Sequence, residues 1–232
     1  MMMTVNDIRK ELLEKRQKGE ITPDPQGRKG EEYQIIEILG ASFIADEPAI
    51  FGKPNMSYIK DEIAWYLGQS TNINSIYRNE RPPPKAWVES ADKHGEINSN
   101  YGRLIFSSLY YDQFRNAVNS LKFNPTSRRA TMIYNRPSIW YESTENGKND
   151  FICTNAVTYY IRDNKIHCVV QMRSNDVIFG YRNDYAWQEF VLDKVCENLH
   201  GEYKQGNIYW QVQNLHIYGR HFHYLDNYHE RQ

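Results

Sequence analysis

The side chains of this chain that can act as nucleophiles, proton carriers or anion binders are few and scattered along its 232 residues. Three cysteines, Cys153, Cys168 and Cys196, cannot all pair, have no metal-ligand spacing and would stay reduced in a cytosol. Each is therefore either apolar filler or a reactive thiol. Ser127-Arg128-Arg129 sets two guanidinium groups side by side, and Arg173-Ser174 adds a third with a hydroxyl next to it. Guanidinium forks bind phosphate oxygens in pairs, whereas the bland reading is a solvated basic pair. His216-Ile217-Tyr218 followed by His221 reads as a hydrogen-bonded pair at a strand end. Among the carboxylates, Glu62 alone reads as the solvated face of a helix, Asp176 as a turn residue, and Asp184 as the N-cap of a helix beginning at Tyr185. Taken by themselves, these groups leave the chemistry open.

The elements that must position them follow from periodicity. Val5 to Lys18 mixes Ile8, Leu12 and Leu13 with charges and reads as an amphipathic surface helix. A loop carrying Pro23, Pro25 and Gly27 follows, and Gln34 to Gly40 is the first strand. Asn55 to Gly68 is helical, Pro82, Pro83 and Pro84 impose an extended excursion, and Tyr111 to Leu121 is a second amphipathic helix. The pattern then turns to strands at Ala130 to Tyr134, Asp150 to Ile161 and Lys165 to Met172, the last two joined by an Asp163-Asn164 turn. Alternation in the third puts Cys168 on the apolar side, where filler is the better reading, and Cys153 falls in an apolar strand. Tyr185 to Leu199 is the longest helix, leaves at Gly201 and carries Cys196 as packing; Asn207 to Ile217 is the last strand, leading to a His-rich end that includes His223 and His229. Strands and helices without strict βαβ alternation predict an α+β fold.

Composition bounds the rest. Apolar residues make up 40% and aromatics 14%, with 18 Tyr, enough for one packed domain over 1–232, with a helix and loop to about residue 33 and a core from 34 to 222. Lys plus Arg total 28 against 29 Asp plus Glu, so no net field draws the chain onto polymeric nucleic acid or an anionic membrane. No apolar stretch reaches membrane-spanning length, and a start with Asp7, Arg9, Lys10 and Glu11 is too charged for a signal peptide. The expectation is a cytoplasmic protein, and no spacing implies a metal.

Ordered motifs gather the scattered groups. Trp87 to Gly102 (WVESADKHGEINSNYG), Ser127-Arg128-Arg129, Arg173-Ser174-Asn175-Asp176 with Gly180, and His216-Ile217-Tyr218 with His221 resemble, in this order, the signature segments of the thymidylate synthase superfamily. GASFIADEP from Gly40, GEINSNYG from Gly95 and MRSNDVIFGYRNDYAWQ from Met172 resemble more specifically the deoxycytidylate hydroxymethylase branch found in T-even-type bacteriophages. The likeness runs from about Gln34 to Phe222. It implies the thymidylate synthase fold, a mixed sheet flanked by helices, in a homodimer whose sheets meet at the interface and whose Arg128 and Arg129 reach the partner's site.

The resemblance also implies roles. Cys153 stands where the family has the thiolate that adds to pyrimidine C6, with Arg128, Arg129 and Arg173 as phosphate ligands near the sulfur, where cations favour the thiolate. Ser174 would add a phosphate donor, Glu62 would order water for proton transfers with Tyr101 in the same network, and His216 and Tyr218 would hold the sugar hydroxyl. Trp87 and Asp176 match positions that contact the pterin of 5,10-methylenetetrahydrofolate. Asn175 and Asn183 would touch the base or order water. Asp184 stands where thymidylate synthases have Asn, and a carboxyl suits cytosine, with its N3 acceptor and amino donor. Three departures stand out: Ser42 replaces a phosphate-binding Arg, Thr154 and Asn155 follow the nucleophile where a His is usual, and the sequence stops at Gln232 without the apolar tail that closes over folate, an expectation of a more open site.

The implied reaction takes deoxycytidine monophosphate to its 5-hydroxymethyl form and tetrahydrofolate, in a viral setting within an infected host's cytoplasm, with a phage nucleotide-synthesis complex as a candidate partner. Its rivals are thymidylate synthesis, hydroxymethylation of deoxyuridylate or of the ribonucleotide, and a non-catalytic nucleotide- or RNA-binding protein on the same scaffold.

Overall fold

In the computed structural model, residues 2–24 and 27–228 are described, so Pro25 of the predicted loop and His229 of the His-rich end lie outside the described residues. The elements in chain order are β1 (Met3–Thr4), α1 (Val5–Lys18), β2 (Ile35–Ile44), α2 (Met56–Leu67), α3 (Lys85–Ser90), α4 (Tyr101–Phe106), α5 (Gln113–Phe123), β3 (Thr131–Ile133), α6 (Ile139–Glu142), β4 (Thr154–Arg162), β5 (Lys165–Met172), β6 (Asn175–Asp176), α7 (Gly180–Asn198), β7 (Lys204–Tyr218) and α8 (His223–Asp226). They form an α+β chain with parallel and antiparallel strand pairs, a mixed sheet. The chain divides into two compact units, a first of Met1–Pro54, Val169–Phe190 and Asn207–Gln232, and a second of Asn55–Cys168 and Val191–Gly206.

The first unit is built on β2 and β7, antiparallel from Ile35 opposite Tyr218 to Ile44 opposite Tyr209. β1 runs parallel to β2, and β6 runs parallel to β7 with Asn175 opposite Leu215 and Asp176 opposite His216. Helix α1 begins in a capping box: the Thr4 hydroxyl accepts from the Asp7 N–H and the Asp7 carboxylate accepts from the Thr4 N–H at 2.8 Å. Its Val5, Ile8 and Leu12 are fully buried.

Strand β2 does not end at Gly40, as the sequence suggests, but continues to Ile44. Gly40 sits at φ +69°, and the buried positions change parity there, from Ile36 and Ile38 to Ala41 and Phe43. Its partner does the same, from Trp210 and Val212 to Leu215 and Ile217. A left-handed residue lets the strand swap faces without breaking its register, and only glycine adopts that conformation at no steric cost. In sequence, a parity change reads as the end of the strand.

The second unit holds α2, α4, α5 and the strands β3 and β4, antiparallel with Thr131 opposite Thr158. The Asp163-Asn164 turn after β4 has φ of 50° and 60°, the left-handed pair that a two-residue hairpin requires. Cys168 is fully buried and burial pushes its thiol far up, as befits filler. Cys196 is half-buried, its thiol raised to about 11 by burial. Helices α3 and α4 lie where no helix was expected; at six residues each they are too short for a periodic pattern to declare itself.

Two boundaries bear on chemistry. β4 begins at Thr154, so Cys153 lies in the bend before the strand and not within it. Helix α7 begins at Gly180, five residues before the predicted start, which puts Asn183 and Asp184 inside the helix. The capping carboxylate is Asp176, which accepts from the N–H groups of Ile178 (3.3 Å), Phe179 (2.8 Å) and Gly180 (3.3 Å). Asp184 as an N-cap is thereby corrected: its side chain is released for other work.

Candidate active site

The residues singled out from the sequence divide between the units. Glu62, Trp87, Tyr101, Arg128, Arg129 and Cys153 belong to the second, and Ser42, Arg173, Ser174, Asn175, Asp176, Asn183, Asp184, His216 and Tyr218 to the first.

In the second unit the centre is Glu62, 5% exposed on α2, whose N-terminus is capped by Asn55 accepting from the Tyr58 N–H at 3.2 Å. Tyr58 stands one turn before Glu62 and donates its hydroxyl to Oε1 at 2.5 Å. The Trp87 indole N–H, from α3, donates to the same oxygen at 3.2 Å and to the Tyr58 hydroxyl at 2.9 Å. Burial raises the Glu62 carboxyl to about 7, against the pull of these two donors. A carboxyl that is half protonated near neutral pH, with partners already aligned, suits proton transfer in either direction.

From Trp87 a row of rings leads toward the nucleophile candidate. Trp87 meets Trp65 edge-on (5.2 Å between centroids), Trp65 stacks on Tyr66 (5.3 Å), and Tyr66 stacks on Tyr101 (5.4 Å). The Tyr101 hydroxyl accepts from the Thr154 hydroxyl at 3.0 Å, and Thr154 directly follows Cys153. The Tyr101-Gly102 pair owes its glycine to this packing, because a Cβ on Gly102 would stand 1.9 Å from the Tyr66 carbonyl oxygen.

Cys153 itself is half-buried, with Sγ 3.9 Å from the Phe151 carbonyl oxygen. The bend that holds it is anchored by Asp150, 7% exposed, which accepts from the Asn98 N–H (2.6 Å), the Ser99 N–H (2.8 Å) and the Ser99 hydroxyl (2.6 Å). Asn155, after Thr154, accepts at its side-chain oxygen from the Asn135 amide at 3.2 Å. Arg128 and Arg129 are both exposed after α5, and their guanidinium groups enter no ion pair among the described residues. Ser127 is buried beneath them and accepts from the Arg129 N–H at 3.1 Å, which fixes the backbone of the pair.

In the first unit, β5 gives way to Arg173 and Ser174, both half-buried, and the Arg173 carbonyl accepts from the Asn214 N–H at 3.2 Å. Asn175, 3% exposed, donates its amide to Asp184 Oδ2 at 2.8 Å and accepts from the Trp210 indole N–H at 3.3 Å. Gly180 permits this approach, since a Cβ there would lie 3.1 Å from the Asn175 Nδ2. Asn183 is half-buried one position before Asp184.

His216, 7% exposed, faces Asp176 across the β6–β7 pair, and its Nδ1 lies 3.0 Å from the Asn214 side-chain oxygen. Burial lowers its pKa, opposed chiefly by the Asp176 charge, so the ring is neutral at neutral pH. Tyr218 packs edge-on against it at 5.0 Å. Ser42 is exposed on β2 opposite Gln211, five residues beyond the Glu37 that pairs with His216, about 17 Å along the strand. Within this unit Asn175 with Asp184, and Asp176 with His216 and Tyr218, are therefore brought together, while Ser42 stands apart.

Sequence reasoning passed over Tyr58, Asp150 and Trp210. The i, i+4 spacing of Tyr58 and Glu62 on one helix was a visible signal. The other two carried none, because their partners lie 51 and 35 residues away.

Comparison with known proteins agrees with this arrangement. The thymidylate synthase family model matches residues 50–232. The deoxycytidylate 5-hydroxymethyltransferases of Enterobacteria phages T4 and T2 are each 46% identical over 230 residues, 97% of this chain and 90% of theirs. A thymidylate synthase of Francisella philomiragia is 26% identical over 179 residues, 73% of this chain and 64% of its own. A matching model over most of the length, with near-complete relatives at this identity, settles the lineage: the chain belongs to the thymidylate synthase family.

Proposed function

We propose that this protein converts deoxycytidine monophosphate to its 5-hydroxymethyl derivative, with 5,10-methylenetetrahydrofolate as the one-carbon donor and water as the source of the hydroxyl. The observation that carries this reading is a carboxyl, Asp184, standing free of capping duty and hydrogen-bonded by the Asn175 amide. Cytosine offers an acceptor at N3 and a donor at its 4-amino group. The acid form of a carboxyl donates to the first and accepts from the second, whereas an amide oriented for uracil offers the reverse pairing.

The chemistry assigned to this chain's residues begins at Cys153. Its thiolate adds to C6, and the C5–C6 electron pair moves onto C5, which forms the new carbon–carbon bond. Loss of the C5 proton then leaves an exocyclic methylene, to which water adds. The pair returned to C5 re-forms the ring double bond and expels Sγ. Glu62, with its pKa near 7, holds and returns protons through ordered water, and Tyr101, bonded to Thr154, steadies the segment that carries the nucleophile.

Arg173 and Ser174, with Arg128 and Arg129 from a second copy of the chain, take the phosphate; His216 and Tyr218 take the 3′ hydroxyl; Asn183 borders the base. Ser42 contributes a hydroxyl at most. The half-exposed Asp176, an acceptor-only group, and the ring of Trp87 fit a pterin with N–H donors. When bound, the folate supplies the methylene carbon. The assembly so assigned is a homodimer with shared sites, acting on a free mononucleotide in the cytoplasm of an infected cell.

The test uses purified protein, methylenetetrahydrofolate and each of the four pyrimidine monophosphates, read by product mass. A 5-hydroxymethyl product from deoxycytidylate alone is expected, and a 5-methyl product with dihydrofolate would replace this reading with thymidylate synthesis. Two variants sharpen it. Exchange of hydrogen at C5 should vanish in Cys153→Ser, and Asp184→Asn should move preference toward deoxyuridylate by about a hundredfold or more in kcat/KM ratio. Unchanged preference would remove Asp184 from base recognition.

A further inference from the structure

The Asn175–Asp184 contact raises a question that its own atoms leave open. An asparagine side chain can turn either its oxygen or its nitrogen toward a neighbour, and the two orientations have the same shape. Beside a carboxyl the orientation matters. With the NH2 facing Asp184, the contacted oxygen must accept; with the amide oxygen facing it, that carboxyl oxygen must carry a proton and donate.

Trp210 decides between them. It is fully buried on β7, its indole N–H is a donor with no acceptor capacity, and it lies 3.3 Å from the side-chain oxygen of Asn175, itself 3% exposed. Turning the amide round would set two donors against each other in a buried space and leave the indole N–H without a partner, the costly case for a buried polar group. The ring cannot swing away, because Tyr181 packs on it edge-to-face at 5.3 Å between centroids. The orientation is therefore fixed from the donor-only end: Trp210 donates to Asn175, and Asn175 donates to Asp184 Oδ2 at 2.8 Å.

We infer that Trp210 is a positioning residue for base choice: through Asn175 it makes Asp184 Oδ2 an obligate acceptor and thereby confines the acid proton of Asp184 to Oδ1. This rests on the assignment of Asp184 to cytosine recognition. Within that assignment it supplies what a lone carboxylic acid lacks, a distinction between its two oxygens. Oδ1 then presents the donor for N3, and Oδ2, which has a second lone pair, accepts from the amino group. A carboxylic acid free to carry its proton on either oxygen would present the matching arrangement only part of the time. It would also meet a carbonyl at C4 on equal terms, by donating from the other oxygen.

The experiment compares Trp210→Phe, which keeps an aromatic ring and removes the donor, with Asn175→Ser, which removes the amide, and with Asp184→Asn. For each, kcat/KM is measured with deoxycytidylate and deoxyuridylate, Kd for both nucleotides is measured without folate, and the pH profile and thermal midpoint are recorded. Trp210→Phe and Asn175→Ser are each expected to lower the deoxycytidylate-to-deoxyuridylate ratio about tenfold, the loss of one directing hydrogen bond, in Kd as well as kcat/KM, and to move the acid limb of the pH profile. If Trp210→Phe lowers only the thermal midpoint and leaves the ratio and the profile as in the parent, Trp210 is packing and the inference is overturned. Should Trp210→Phe fail to fold, Asn175→Ser decides alone. Asp184→Asn separates the two levels. A changed ratio there with none in the other two variants defeats the relay but keeps the carboxyl's role, and no change in any of the three defeats the base assignment itself.

Discussion

Two uncharged donors, the Tyr58 hydroxyl and the Trp87 indole, hold the carboxyl of Glu62, and burial outweighs them both. The consequence is a stability that depends on pH in a stated direction. The folded value, about 7, lies above the 4.5 of a solvated glutamate, so between these limits the folded chain keeps a proton that the unfolded chain has lost. The contribution of this group is fully present below about pH 4.5 and is lost as pH rises through about 7. Glu62→Gln keeps the shape without the charge. Urea unfolding at about pH 8 should show the variant more stable than the parent by up to about 3 kcal/mol, with the advantage gone at about pH 4. Turnover should fall at least about a hundredfold for want of a proton carrier. A stability difference that does not change with pH would mean that Glu62 titrates as an ordinary solvated carboxylate.

At the scale of elements, close approach of helices places the aromatic row. α4 passes α2 so tightly that Gly102 has no room for a methyl group: a Cβ would stand 1.9 Å from the Tyr66 carbonyl oxygen and 2.4 Å from its carbon. Backbone cannot step aside as a flexible side chain can. Gly102→Ala should therefore cost about 3 kcal/mol in urea unfolding, at the upper end for overpacking. Because Tyr66 stacks on Tyr101, kcat should fall with it. Gly147 makes the contrast. It has φ +83° but nothing within 4 Å, and alanine there should cost only about 1 kcal/mol from backbone strain, with activity unchanged. Equal losses at both positions would show that helix proximity does not govern the row. The legible part of this scale was the helices long enough to show a period, α1, α2, α5 and the body of α7. The start of α7 was misread because Asn183-Asp184 looks like a cap in sequence, while the cap in space is Asp176, brought to the helix by the turn after β6.

For the whole molecule, the exposed and unneutralised Arg128 and Arg129 bear on assembly. If they complete a partner's site, two dead variants should restore each other. Mixed after subunit exchange, Cys153→Ser and the Arg128→Ala, Arg129→Ala double variant should recover about a quarter of parental activity. Half of the dimers are then mixed, and each has one site with both the sulfur and the arginines. No recovery, with subunit exchange verified by mass, would place the arginines in the site of their own chain.

The sequence by itself determined the chemistry on offer: which residue carries the sulfur, where the arginines pair, that Cys168 alternates onto an apolar face, and that strands and helices mix without a βαβ rhythm. These are local or ordered along the chain, and spacing preserves them. Only tertiary structure decided what state those groups are in. Glu62 reads as a solvated helical carboxylate until Trp87, 25 residues on, closes over it. Asp184 reads as a cap until Asn175 and Trp210 claim it, and Gly40 reads as the end of a strand until β7 changes face alongside it. Burial and the direction of a hydrogen bond depend on neighbours that sequence distance does not rank, and for that reason protonation, orientation and strand face were settled by packing.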